Sequence, residues 1–287
     1  MNKIKSFVKD VIYFLSMMKY LIRNSSFFSS LSLHPTDSSK NEVYLLCNGP
    51  SLKDVLPTLY TMVGQDFIVV NFLGNDPIFS VIQPKYYTLM DGLFFYNRPD
   101  NRHMEKLVTL YNNFNTIVTW PMTVYIPIHY KKKFMKFSKL NNPNIKVVGL
   151  NTIAIDKASK SLRHCMYRKG WSMPNAQTVA IESIFAMINK GYKRIYLYGV
   201  DHTFLDGLKV TEENQLVHVY QHFYEKEPKV IPVVDAFNVA PTMSSELQTI
   251  VNIFRSHELC RLYADDVGCR IINLTNGSQI DSYERGK

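Results

Sequence analysis

From residue 42 onward the chain alternates between two hydrophobic rhythms. Short apolar runs of strand length appear as "VYLLC" (43–47), "FIVVN" (67–71), "KYYTLMD" (85–91), "TIVTW" (116–120), "KVVGL" (146–150), "RIYLYGVD" (194–201) and "CRIINLT" (269–275). Between several of them lie stretches with helical spacing. "RHMEKLVTLYNNF" is one, and "NAQTVAIESIFAMINKG" (175–191) is the clearest. In the latter, Val179, Ile181, Ile184, Phe185 and Ile188 cover much of the helix circumference, which predicts a helix buried against a sheet. Asn175 is its expected cap and Gly191 its expected stop. Alternation of strands and helices implies an α/β domain with a mostly parallel sheet and helices on both faces.

Two regions break the rhythm. At the N-terminus, Lys3, Lys5, Lys9, Lys19 and Arg23 interrupt Ile4, Phe7, Val8, Val11, Ile12, Phe14, Leu15, Met18 and Leu21. The longest charge-free run, Val11 to Met18, is too short to span a bilayer. No small-x-small cleavage site follows it. Residues 1–24 therefore read as a basic amphipathic helix, suited to the surface of an anionic inner membrane. Packing against the domain explains the same pattern. Residues 25–41 are Ser-rich and read as a linker ahead of one domain over 42–287. The second break, about 202–245, is polar and aromatic and reads as a lid.

Composition narrows the partners. The chain has 287 residues, 46% hydrophobic and 20% charged, which is a globular balance. A formal charge of +9 suits an anionic partner. No zinc-finger spacing or RNA-binding signature is present, which disfavours nucleic acid. The four cysteines form no C-x-x-C pair, so a reducing cytoplasm is expected.

Ligands of an open parallel sheet bind beyond the carboxyl ends of its strands. Asn48, Gly49, Pro50 and Ser51 follow the first predicted strand, Asn71 ends the second, and Asp91 ends the third. Gln177 and Thr178 open the buried helix, Asp201 and His202 follow its strand, and Asn276 and Ser278 follow the last. A glycine lets backbone amides approach a phosphate, and asparagine amides both donate and accept toward ribose or base. No G-x-x-x-x-G-K-[ST] or G-x-G-x-x-G occurs, so ordinary P-loop and classical dinucleotide readings are disfavoured.

"NGPSL" after the first strand, the Asn after the second and "GYKRIYLYGVDHTF" from residue 191 resemble the bacterial sialyltransferases of glycosyltransferase family 42. They also resemble a related superfamily holding the archaeal-type 6-hydroxymethylpterin pyrophosphokinases and the flagellar motility-associated factor glycosyltransferases. The tail from "HFYEKE" through "ADDVGCRIINLTNGSQIDSYER" looks like bacterial members often found among surface-polysaccharide enzymes. The resemblance spans roughly residues 42–285 and implies a Rossmann-like, GT-A-type fold. It also implies a CMP-activated sugar bound without a metal and a glycan or glycolipid acceptor, as in lipopolysaccharide or capsule synthesis. Asn48, Gly49 and Ser51 match the nucleotide loop, Asn71 a donor contact, and Thr178 the donor-side stretch. Asp201 matches the strand-end acid, while Asn276 and Ser278 fall near a nucleotide-contacting loop. Asp91 stands where those enzymes carry an Asn, and Thr203 where they carry a Tyr. Their Arg-x-Thr-Ser-Gly is here Ala176-Gln177-Thr178-Val179-Ala180. Another nonulosonic acid or a different nucleotide sugar is equally open.

Sugar transfer with inversion needs a base, and a His is suited to that near neutral pH. His222 is the first candidate and His202, beside Asp201, the second. Tyr224 and Tyr220 are candidates to hold the departing phosphate. The alternative is a pyrophosphokinase in which Asp201 and Asp91 bind Mg²⁺ for ATP. A third reading is a non-catalytic membrane scaffold.

Overall fold

The structure is a computed structural model that describes residues 2–28, 31–34, 41–96, 103–220, 229–234 and 239–286. For residues 2, 3, 220 and 229 only the backbone is described. Eight strands form one parallel sheet in the order β11-β10-β6-β1-β2-β3-β4-β5. They are β1 (Glu42–Leu46), β2 (Phe67–Val70), β3 (Tyr86–Thr88), β4 (Met122–Pro127), β5 (Ile145–Leu150), β6 (Arg194–Tyr198), β10 (Arg270–Asn273) and β11 (Glu284–Arg285). The chain builds outward from β1 to β5 and then crosses back to lay β6 on the free side of β1. The sheet thus reverses its order of growth between β1 and β6.

Side chains alternate between two apolar cores. Val43, Leu45, Ile68, Val70, Ile195 and Leu197 enter one, beneath α7 (Val179–Asn189) and α8 (Met243–Val267). Leu46, Phe67, Val69, Tyr87, Val124 and Ile126 enter the other, with α4 (Met104–Thr116) and α5 (Lys131–Ser138). Both faces are covered, which is why β2 reads as an unbroken apolar run. Every residue of α7 from Ala180 to Asn189 is buried, so its all-round hydrophobicity reports burial on all sides.

Several boundaries differ from the sequence reading. "TIVTW" is not a strand: α4 runs through Thr116, and the strand is the next segment, "MTVYIP". Val118 and Trp120 are buried as loop residues, and the Trp120 indole donates to the Pro84 carbonyl at 3.0 Å. Their apolarity signalled core rather than strand. The buried helix is capped by Thr178, whose hydroxyl accepts from the Ala180 amide at 3.3 Å, and not by Asn175. The region 202–245 is regular in part. It holds a three-stranded antiparallel sheet of β7 (Leu208–Val210), β8 (Leu216–Tyr220) and β9 (Lys229–Pro232).

The helix α1 (Asn2–Asn24) docks on the domain. Met17 and Leu21 are fully buried in the α7 core, and Asp10 accepts from the Ser159 amide at 2.7 Å. The described part of the Ser-rich stretch docks too. Leu31 is in the core, the Phe27 ring meets Trp171 edge-on, and the Leu33 amide bonds the Arg168 carbonyl. Two apolar side chains among serines fix this segment to the surface of the domain.

Candidate functional site

The reversal between β1 and β6 places two chain segments side by side at the carboxyl edge. Leu46 pairs with Tyr198, so Asn48-Gly49-Pro50-Ser51 leaves the sheet beside Gly199-Val200-Asp201-His202. The loops are tied together. The Gly49 amide donates to the Gly199 carbonyl at 2.9 Å. Both oxygens of the Asp201 carboxylate accept from Ser51: Oδ1 from its amide at 3.1 Å and Oδ2 from its hydroxyl at 2.8 Å. Asp201 is buried, and a methyl group on Gly49 would lie 1.7 Å from its Oδ2. Gly49 is therefore required because a carboxylate fills the space of its side chain. Gly199 has φ of +66°, and a Cβ there would meet the Cys47 carbonyl at 2.4 Å.

These contacts change what the loop offers. The amides of Gly49, Ser51, Leu52, Lys53 and Asp54 all have partners within the protein, so the loop is not the open amide cradle expected for a phosphate. Asp201 acts on the loop and positions it. The metal pair expected of Asp201 and Asp91 is not assembled. Both Asp201 oxygens are engaged by Ser51, while Asp91 is exposed and caps the Leu93 amide at 3.0 Å. Ser278 is buried and structural: its hydroxyl donates to the Val200 carbonyl at 2.7 Å and accepts from Asn273 at 3.0 Å.

Beside this loop the edge carries a set of side-chain amides. The β1–β2 register pairs Leu46 with Val69, so Asn48 and Asn71 emerge from neighbouring strands at the same level. Asn48 is exposed. Asn71 has a left-handed backbone, φ +52°, held by the Tyr87 hydroxyl, which donates to its carbonyl at 2.5 Å. Its side-chain Oδ1 is buried and has no hydrogen-bond partner among the described residues. Buried acceptors are nearly always satisfied, so an orphan one at the ligand edge of a parallel sheet is a functional signal. Gln177 is exposed in the loop before α7 and Asn276 in the loop after β10, and Pro50 is exposed beside Asn48.

His202 also has a left-handed backbone, φ +51°. Non-glycine residues in this conformation cluster at functional sites, and here Asn71 and His202 both stand at strand ends of one edge. The His202 Nε2 lies 3.0 Å from Nε2 of His257, whose Nδ1 lies 2.8 Å from the Tyr283 hydroxyl. In one tautomer set Tyr283 donates to His257 and His257 to His202. In the other each donation reverses, and His202 Nδ1 carries a free lone pair. Burial lowers the His202 pKa to about 4 and holds that of His257 well below the usual histidine range. Sequence reading missed His257 and Tyr283. His257 sits mid-way along α8, which carries no local mark of function, and only the fold brings it to His202. His218 lies on β8. His222 and Tyr224 lie outside the described residues, as does the side chain of Tyr220.

A cleft of about 560 Å³ lined by Val63, Tyr86, Trp120, Met122 and Lys146 opens at the other, amino edge. It is remote from the strand-end polar groups and is not the site the sheet order designates.

No protein-family model matches the chain, and no curated protein does either. Among solved structures it is similar to the MAf glycosyltransferase from Magnetospirillum magneticum AMB-1, with 13% identity and a TM-score of 0.44. That match covers 94% of this chain and 38% of the other, so the chain spans well under half of that protein's length.

Proposed function

We propose that this protein is a glycosyltransferase that takes a sugar from a nucleotide-activated donor, most specifically CMP-sialic acid or another CMP-activated nonulosonic acid. The acceptor is a glycan or glycolipid of a bacterial surface. The observation that carries the reading is the orphan Asn71 acceptor beside Asn48 at the point where the sheet reverses. Paired amides there suit the donor and acceptor groups of a pyrimidine base or ribose. The sequence resemblance of "NGPSL" and "GYKRIYLYGVDHTF" to family 42 supports the choice of CMP. Four free cysteines, three of them buried, agree with a cytoplasmic location.

In this mechanism the acceptor hydroxyl attacks the anomeric carbon, the glycosyl–phosphate bond breaks, and CMP leaves. A histidine of the 202–245 region takes the hydroxyl proton. We assign this to His202 Nδ1, with His257 and Tyr283 fixing its tautomer. Burial makes His202 a weak base, but the bound donor is anionic and its charge raises the histidine pKa. Donor binding thus switches on the base. The loop held by Asp201 and Gly49 shapes the donor site, and no metal takes part.

The test is nucleotide release from CMP-, UDP- and GDP-sugars in the presence of a chelator. CMP release from a CMP-nonulosonate is expected, with a loss of at least about 100-fold in His202→Phe, as for removal of a general base. Turnover of ATP only with Mg²⁺, on a pterin, would replace this reading with the pyrophosphokinase. Equal CMP release by His202→Phe would remove His202 from the mechanism.

A further inference from the structure

The helix α1 has two apolar faces. One is docked: Met17 and Leu21 are fully buried, Asp10 bonds the Ser159 amide, and the Thr152 amide donates to the Tyr20 hydroxyl at 3.3 Å. The other faces outward. Ile4, Phe7, Val8, Val11, Ile12, Leu15 and Ile22 are all exposed, at fractions from 39% to 71%. Their spacing places them on one stripe of the helix, roughly opposite Met17 and Leu21. A docked helix needs one apolar face, so the second is unexplained by folding. An exposed apolar area of this kind marks an interaction site.

The charge beside the stripe identifies the partner. Lys5, Lys9, Lys19 and Arg23 are exposed along one flank of it, and the whole chain carries +9. Acidic residues are absent from the first turn, and the one acidic residue of α1, Asp10, is turned inward to Ser159. Among the described residues no helix is long and apolar enough to cross a membrane. We propose that the outward face of α1 lies in the interface of an anionic lipid bilayer, with Ile4, Val8, Ile12 and Leu15 in the acyl boundary and the basic flank at the headgroups. The basic run on α5 has no part in this, because α5 packs on the opposite face of the sheet through Phe134. Thr152 and Ser159 follow the carboxyl end of β5, so α1 is anchored at the edge of the sheet that carries Asn71 and His202. A bilayer-bound α1 therefore brings that edge close to lipid. For the transferase reading, on which this last step alone rests, the acceptor is lipid-linked.

The test is flotation of the full chain with vesicles of phosphatidylcholine alone and of phosphatidylcholine mixed with phosphatidylglycerol. Binding to the anionic vesicles is expected to exceed binding to the neutral ones by at least roughly tenfold and to fall with salt. Val8→Asp with Leu15→Asp, both on the exposed face, should abolish binding while leaving the melting temperature and nucleotide binding unchanged. Lys5→Gln with Lys9→Gln should weaken only the anionic preference. No binding to anionic vesicles would overturn the proposal. Self-association of the lipid-free chain that the aspartate variant dissolves, without lipid binding by either protein, would also overturn it and assign the stripe to a second copy.

Discussion

Gly49→Ala is expected to destabilise the protein by about 3–5 kcal/mol and to abolish donor binding. The added methyl group would stand 1.7 Å from Asp201 Oδ2 and 2.5 Å from both its Cγ and the Gly199 carbonyl. The backbone carbonyl cannot retreat without disturbing β6, so Asp201 must move. Moving it breaks two hydrogen bonds from Ser51 to a buried carboxylate, each worth about 1.5–3 kcal/mol. A loss of this size is a large fraction of the 5–15 kcal/mol typical of a domain. Ser51→Ala is the milder control: it removes the hydroxyl bond, keeps the amide bond and adds no clash, for about 1–2 kcal/mol. Urea unfolding of both variants measures the difference. A Gly49→Ala protein within about 1 kcal/mol of the parent would show that the loop is not held as described.

Stability is expected to fall steeply as pH drops from about 6.5 to about 4, by about 3 kcal/mol from His202 alone. Its folded pKa is depressed to about 4 by burial, below the unfolded value of about 6.5. Between the two values the unfolded chain binds the proton and the folded one does not, so stability rises with pH there. The contribution is complete above about 6.5 and lost as pH falls through the folded value. His257, lowered in the same direction by burial and by His202, steepens the limb. Glu182 acts with the opposite sign. It is fully buried in α7, no partner among the described residues reaches either oxygen, and burial raises its pKa well above the usual carboxylate value. It favours the fold below about pH 4.5, and this is lost as pH rises toward the folded pKa. Glu182→Gln should therefore gain stability over the parent by about 1.4 kcal/mol per pH unit across that window. His202→Asn, which tolerates the left-handed backbone, should flatten the acid limb. Urea unfolding at a series of pH values reads all three proteins. An acid limb unchanged in His202→Asn would contradict the buried, neutral histidine pair.

Much of this architecture was legible in the chain. Unbroken apolar runs such as "FIVV" gave a sheet covered on both faces, and strand ends rich in Asn, Gly and Asp pointed to one edge. The meaning of individual residues was less legible, because it depends on partners remote in sequence. Gly49 looked like a residue that admits a phosphate, yet Asp201 fills that space. Ser278 read as a nucleotide-loop residue after the last strand but is bound to the Val200 carbonyl from 78 residues away. His257 lies 55 residues from His202 on a helix of weak pattern, and no local spacing joins them. The dual character of α1 was half visible: the sequence showed apolar and basic residues, and only the fold separates the docked face from the outward one.

The most direct test of the donor site is calorimetric titration of CMP into the metal-free protein and into Asn71→Leu. Saturable one-site binding to the parent is expected, weakened at least about tenfold in the variant, because an acceptor that the ligand satisfies in a buried site is worth about 1–3 kcal/mol. No binding of CMP to the parent, or equal binding to Asn71→Leu, would contradict a nucleotide site at the β1–β2 edge.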